Sequence, residues 1–194
     1  MQETTTTPRI AVVYHSVTGT VEMIAQTLAE AAGEAGAEVR LRPVGDDRIV
    51  GPPARVEDVL WADGVLLGTP VRFGAMTAEL KAFLDGLGPQ WRRGLLADKV
   101  YSAFCSGATP HGGLESTLLA MHTVICHLGG IVVPPGYCEP AKYADGNPYG
   151  TCHASGRIGG AIDSVTFAAA AVQARRVVAV ARALRVAGAM TVAA

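Results

Sequence analysis

The amino-acid sequence predicts an α/β fold in which one parallel sheet carries helices on both faces. Three observations lead there. Short apolar runs at Ile10–Tyr14, Gly64–Pro70 and Val100–Cys105 are what strands buried on both faces need. Each is followed by a segment whose apolar residues recur at helical spacing. The turns between them are rich in glycine, in hydroxyls or in both, and in an open parallel sheet ligands sit at the carboxyl ends of the strands.

Taken in order, Met1 to Pro8 reads as a polar, disordered lead and residues 9–190 as one domain. The run from Ile10 is the expected central strand, and Val21, Ile24, Ala25, Leu28 and Ala32 give the following helix its apolar face. Glu38 to Val44 alternates apolar and polar residues and carries a proline, as an edge strand does. Gly45 to Ala54 is a loop and Val56 to Trp61 a short helix. Beyond Gly64–Pro70, the residues Met76, Leu80, Phe83, Leu84 and Leu87 share one helical face, and Trp91 follows on a loop. After Val100–Cys105 comes the turn Ser106 to Gly113, then a helix from about Leu114 to Leu128 and a last strand, Ile131 to Val133. Gly136 to Gly160 shows no regular period but holds Tyr137, Tyr143, Tyr149 and His153. A loop that long is functional or lies at an interface. The final helix, from about Thr166 to Ala187, is expected to pack Phe167, Val172, Val180 and Leu184 on the sheet and to expose its arginines.

Composition excludes several classes of function. Sixteen basic residues against seventeen acidic leave a net charge of -1 with no basic block, so nothing draws the chain to nucleic acid. No apolar run is long enough for a membrane span and no signal-peptide pattern is present, so the protein is read as cytoplasmic and off the membrane. Cys105, Cys126, Cys138 and Cys152 are spaced too widely for metal or C-x-x-C chemistry. They are expected to be small apolar fillers, and no metal site is expected.

The turn after the first strand is the chemically richest stretch. Ser16, Thr18 and Thr20 place three hydroxyls around Gly19 at the start of a helix, where free N–H groups favour an anion, usually a phosphate. Ordinary helix capping explains the same residues equally simply. Neither G-x-x-x-x-G-K-[ST] nor G-x-G-x-x-G is present, which disfavours a P-loop and a dinucleotide fold of the common kind. What stands here, Ser16-Val17-Thr18-Gly19-Thr20, resembles the flavodoxin-type loop that wraps the FMN phosphate in hydroxyls and amides.

From Arg9 to about Gly156 the chain resembles the WrbA-type NAD(P)H:quinone oxidoreductases. Five matches stand in order: SVTGTVE, GTPVRFGAM, FLDGLGPQW, HLGGIVVPPGY and GNPYG. The resemblance implies a flavodoxin-like three-layer sandwich whose five-stranded parallel sheet has the order 2-1-3-4-5. It also implies FMN as cofactor, NAD(P)H as co-substrate and a small quinone or related aromatic acceptor, served in turn at one site. By position, the family's phosphate loop falls on Ser16, Val17, Thr18, Gly19, Thr20 and Val21, and its second flavin loop on Pro70, Val71, Arg72, Phe73 and Gly74. Ser106, Gly107, Ala108, Thr109, His111 and Gly112 occupy the third loop. His127 and Trp91 match the residues that border the space above the flavin, a pocket that a neighbouring subunit completes in the family. A homo-oligomer, dimer or tetramer, is therefore implied.

In this reading Arg72 stabilises the negative charge of reduced flavin and His127 gives the quinone oxygen a proton or hydrogen bond. Plainer roles fit the same residues: His127 capping carbonyls at a helix end, Arg72 in a surface ion pair, Trp91 in packing. His15, His122 and His153 are taken as structural. The third loop departs from the family's S-T-G-x-G-G-G-x-E by reading SGATPHGGLE, with Pro110 and His111 inserted, and only one imidazole stands where the family tends to have two. These departures touch acceptor choice. They keep open a flavin or NAD(P)H reductase serving a biosynthetic pathway or a monooxygenase. A one-electron carrier is the other rival, and its usual strong acidity is missing here.

Overall fold

β1 (Arg9–Tyr14) runs through the middle of the molecule because every second side chain meets a different helical layer. The computed structural model describes residues 7–45, 51–157, 159 and 161–188. The expected lead up to residue 6, positions 46–50 of the loop after the second strand, and residues 189 and 190 of the expected domain lie outside the described residues.

In chain order, β1 is followed by α1 (Thr20–Glu34), β2 (Glu38–Pro43), α2 (Val56–Trp61), β3 (Gly64–Pro70), α3 (Ala78–Asp85) and α4 (Gly88–Arg92). Then come β4 (Val100–Gly107), α5 (Leu114–His127), β5 (Ile131–Val132), α6 (Pro140–Asp145), β6 (Thr151–Ala154) and α7 (Ser164–Val186). All strand pairs are parallel and the order is β2-β1-β3-β4-β5. This is the expected sheet. Strand order reverses at β1, so the loops after β1 and β3 diverge to opposite faces and leave a crevice at the carboxyl edge.

Ile10, Val12, Tyr14, Leu66 and Phe104 pack with Ile24, Leu28, Ala174 and Val177 of α1 and α7. Ala11, Val13, Val65, Leu67 and Ala103 pack with Val59, Leu80, Leu118, Met121 and Ile125 of α2, α3 and α5. Each fully buried leucine or isoleucine contributes about 1.5–3 kcal/mol. Within the sheet, the Phe104 ring of β4 lies over its register partner Gly68 of β3, where a Cβ would sit 2.1 Å from the ring, so glycine is required there.

The edge beyond β4 differs from the expectation. Ile131 and Val132 pair with the start of β4, and Thr151–Ala154 pair with its end, so β5 and β6 are two halves of one lane. The segment 133–150 loops out between them and is not aperiodic, since α6 lies within it. Gln173 of α7 closes the gap: its Nε2 donates to Ser102 Oγ at 2.7 Å and Ala103 O at 2.8 Å, and its Oε1 accepts from Thr151 N at 2.8 Å. The looped segment has its own anchor in buried Lys142, which pairs with Asp145 and donates to Gly150 O at 3.1 Å.

Four smaller expectations are corrected. α7 starts at Ser164, and Phe167 is exposed because Ala169, Ala170, Val172, Ala174, Val177 and Val178 form its buried face. Its arginines are not all free: Arg182 donates to Ala35 O and Arg185 is paired with Asp63. Trp91 lies on a short helix, with Pro89 supplying the fixed φ of its first turn. Cys105 is a buried filler, whereas Cys126 and Cys138 are exposed. α7 has the length and hydropathy of a membrane span, and 50% of that stretch is buried in the core.

Candidate functional site

The loop after β1 builds an anion cradle from backbone and hydroxyls. Gly19 takes the N-cap position of α1 with φ of 88° and has no side chain to cap it; Ser16 Oγ takes the Glu22 amide, and among the described residues the Thr20 and Val21 amides have no acceptor in the chain. Ser16 and Thr20 are buried and Val17 and Thr18 exposed, with Thr18 Oγ1 3.5 Å from Thr20 Oγ1. Ser16 Oγ accepts from Glu22 N at 3.3 Å, which holds the loop against the first turn of the helix. A Cβ on Gly159 would lie 3.1 Å from Thr18, so that glycine's backbone closes one side of the cradle. The Thr20 and Val21 amides and three hydroxyls fit a phosphate group that needs no cationic side chain. The FMN expected from the sequence fits here.

The loop after β3 is a tight turn. Arg72 N donates to Ala75 O at 2.8 Å and Ala75 N to Arg72 O at 3.0 Å, with Phe73 at φ 51° and Gly74 at φ 76° between them. Positive φ at both central residues makes this a type I′ turn. An aromatic residue in the left-handed region is strained by about 1 kcal/mol or more, and such strain marks functional loops. Phe73 is also fully solvent-exposed, so its side chain gains no burial from the placement. The Arg72 guanidinium bonds only its neighbour's carbonyl, Val71 O, at 3.0 Å and is left without a carboxylate among the described residues.

The third loop leans on the second. Val71 N donates to Ser106 O at 2.8 Å, and a Cβ on Gly113 would lie 2.8 Å from Gly74 Cα. Ser106 and Gly107 are buried, while Ala108, Thr109, His111 and Gly112 are exposed. Pro110 and His111 line a polar cleft of about 430 Å³ together with Glu115, Asp145, His153 and Thr166. The extra length of this loop is thus turned toward β6.

Behind the loops lies a buried network that sequence reading left as merely structural. His15 Nδ1 and Thr77 Oγ1 are 3.1 Å apart, Thr77 N donates to Thr69 Oγ1 at 3.0 Å, and Thr77 Oγ1 caps α3 by accepting from Leu80 N. These bonds tie the end of β1 to the segment that follows β3, and so fix the first two loops relative to each other. A threonine three residues ahead of Leu80 at a helix start was the available signal. Deeper in the sheet, burial and the nearby Glu22 carboxylate push the Tyr14 phenol up to about 12, so it stays neutral. Burial likewise raises the Cys105 thiol, and the Cys152 thiol to about 11, which keeps both protonated and inert.

Trp91 and His127 do not join these loops within one chain. α5 starts beside Gly74 and ends at His127, and 14 helical residues span about 20 Å. At that far end Trp91 Nε1 donates to His127 O at 2.7 Å. The two line a mainly apolar cleft of about 310 Å³ with Lys81, Leu84, Val124 and Leu128. The Trp91–His127 cleft and the three loops are therefore separate places on the chain.

Comparison with known proteins agrees with the loop chemistry. The family model described as NADPH-dependent FMN reductase matches residues 8–144. An NAD(P)H dehydrogenase (quinone) of Deinococcus radiodurans is 38% identical over 161 residues, covering 73% of this chain and 80% of the relative. The protein of the same description from Acidithiobacillus ferrooxidans is 39% identical, with coverage of 73% and 80%. Among solved structures, a WrbA-like flavodoxin protein from Agrobacterium tumefaciens superposes with a TM-score of 0.73 at 23% identity, over 91% of this chain and 99% of that one. An archaeal flavodoxin gives 0.63 at 13% identity over 89% and 98%, and at such identities the likeness speaks for the fold alone.

Proposed function

The chain belongs to the NADPH-dependent FMN reductase family, and from that premise we propose that it passes two electrons from NAD(P)H to a quinone in two successive half-reactions at one site. The observation that carries this reading is the convergence of three loops beside a glycine-started helix N-terminus whose hydroxyls suit a phosphate. FMN, when bound, supplies the centre that accepts and returns the hydride.

The chain's own residues hold, orient and shield. Ser16, Thr18, Thr20 and the amides of Gly19 and Val21 hold the phosphate end. The turn Pro70–Gly74 and the residues Ser106 to Thr109 flank the ring, and the free Arg72 guanidinium favours negative charge on its pyrimidine side. His127 gives the acceptor oxygen a proton or a hydrogen bond, and Trp91 covers the acceptor face. Because His127 and Trp91 lie a helix length away from the loops of their own chain, a second copy is assigned to supply them. That makes the working unit a homo-oligomer, dimer or tetramer, and gives exposed Phe73 a surface to meet. A cytoplasmic setting belongs to the same reading.

The test is anaerobic. FMN-loaded protein is mixed with NADPH or NADH while the visible flavin band is followed, and a simple benzoquinone is then added. Bleaching by a nucleotide and recovery with quinone is the expected outcome. If neither nucleotide bleaches the band the proposal fails, and a stable semiquinone with a one-electron donor then marks the protein as an electron carrier.

A further inference from the structure

Resting on the oxidoreductase reading above, we propose that Arg92 and Arg93 anchor the phosphates of the nicotinamide dinucleotide at the rim of the cleft that Trp91 and His127 line. Gly88 and Trp91 of α4 face that cleft, and Arg92, four residues after Gly88, lies on the same side of the helix. Arg93 follows as the C-cap. Both side chains are exposed, and among the described residues neither has a carboxylate partner. The one lysine at the same cleft is already matched: Lys81 holds Asp85 at 2.5 Å, which leaves the two guanidiniums as its uncommitted cations among the described residues.

Two adjacent guanidiniums repel each other and are relieved by an anion. They stand next to a half-exposed indole and an apolar recess. An aromatic ring at one end and phosphate at the other is the ligand shape this layout accepts, and guanidinium is the group that grips phosphate with paired hydrogen bonds. A quinone carries no anion, so the pair serves the nucleotide alone. The phosphate in question is either the 2′-phosphate of NADPH or the diphosphate that NADPH and NADH share.

The experiment compares FMN-loaded wild type with the R92S/R93S and R92K/R93K variants. Calorimetry measures binding of 2′,5′-ADP and of ADP-ribose to the oxidised protein, and stopped-flow measures reduction by NADPH and NADH. Reoxidation of dithionite-reduced protein by benzoquinone provides a step without nucleotide. Loss of two charge-assisted contacts is expected to weaken nucleotide binding at least about tenfold in R92S/R93S, with partial recovery in R92K/R93K and no slowing of reoxidation. Loss confined to 2′,5′-ADP and NADPH assigns the pair to the 2′-phosphate, and equal loss for ADP-ribose, NADH and NADPH, with a smaller loss for 2′,5′-ADP, assigns it to the diphosphate. Unchanged binding, or reoxidation slowed as much as reduction, overturns the proposal. A wild type that is reduced normally while the serine variant matches it sinks the arginine proposal alone. A wild type reduced by neither nucleotide sinks the oxidoreductase reading and this proposal with it.

Discussion

The indole Nε1 of Trp91 donates a 2.7 Å hydrogen bond to the backbone carbonyl of His127. One bond thus sets the ring plane of Trp91 and secures the last turn of α5 that presents the imidazole. Trp91→Phe keeps an aromatic surface but removes the donor, so both residues lose their fixed pose. We expect kcat/KM for benzoquinone to fall about tenfold, equivalent to about 1.4 kcal/mol, with FMN content unchanged. Steady-state kinetics over a range of quinone concentrations checks this, and a variant as efficient as wild type sinks it.

The phosphate cradle has no cation, so its grip rests on individual hydroxyls and amides. In the Thr18→Ala/Thr20→Val double variant, two hydrogen bonds to a charged group are lost. The FMN dissociation constant is expected to rise between about tenfold and a hundredfold. Titrating apoprotein with FMN and following the quenching of flavin fluorescence measures it. Equal affinity in variant and wild type places the phosphate elsewhere.

Gly68→Ala puts a methyl group 2.1 Å from the ring edge of Phe104, across two neighbouring strands in the sheet centre. Overpacking at a site hemmed in by two helical layers is expected to destabilise the fold by about 2 kcal/mol. Urea denaturation midpoints report the loss, and Phe104→Leu in the same chain is expected to return part of it. No shift in midpoint contradicts the packing described.

Lys99 Nζ donates to Leu60 O at 3.0 Å and to Ala62 O at 2.6 Å. Burial lowers its pKa from 10.5 to about 8, with Asp63 opposing the shift and Arg9 adding to it. The native chain therefore gives up this proton before the unfolded chain does, so between about pH 8 and 10.5 the unfolded state binds more protons and this lysine makes stability rise with pH. Below that window the burial penalty is present in full. The Tm of wild type minus that of Lys99→Met, measured by calorimetry across the window, is expected to climb. A flat or falling difference refutes the assignment.

The buried strands were legible because burial on both faces demands an uninterrupted apolar run, and the loops because hydroxyls and glycines cluster where strands end. Sheet order came from the resemblance, and the parallel register bears it out. The divided lane was hidden for a physical reason. Thr151–Ala154 is too short to alternate visibly, and what fixes its register is an amide on α7, 22 residues away from Thr151. Exposure of Phe167 was hidden because alanine fills the inner face of α7, so that the bulkiest residue nearby no longer marks the core. The separation of His127 from the flavin loops was within reach, since 14 residues at about 1.5 Å each carry α5 across the sheet. Motif order along a chain says nothing about which end of a helix a residue occupies. The tie between His15 and Thr77 joins positions 62 apart, beyond any local pattern.

The repaired seam at Gln173 has a consequence for how the protein varies. A side chain on α7 ties the start of β6 to the middle of β4, so the register of β6 is held by contacts that lie outside residues 133–150. The segment is a cassette: it folds around its own lysine–carboxylate pair, and lengthening it adds a closure entropy that grows only with the logarithm of its length. Evolution, or an engineer, can exchange the tyrosine-bearing face carried there for another without reopening the flavodoxin-like frame.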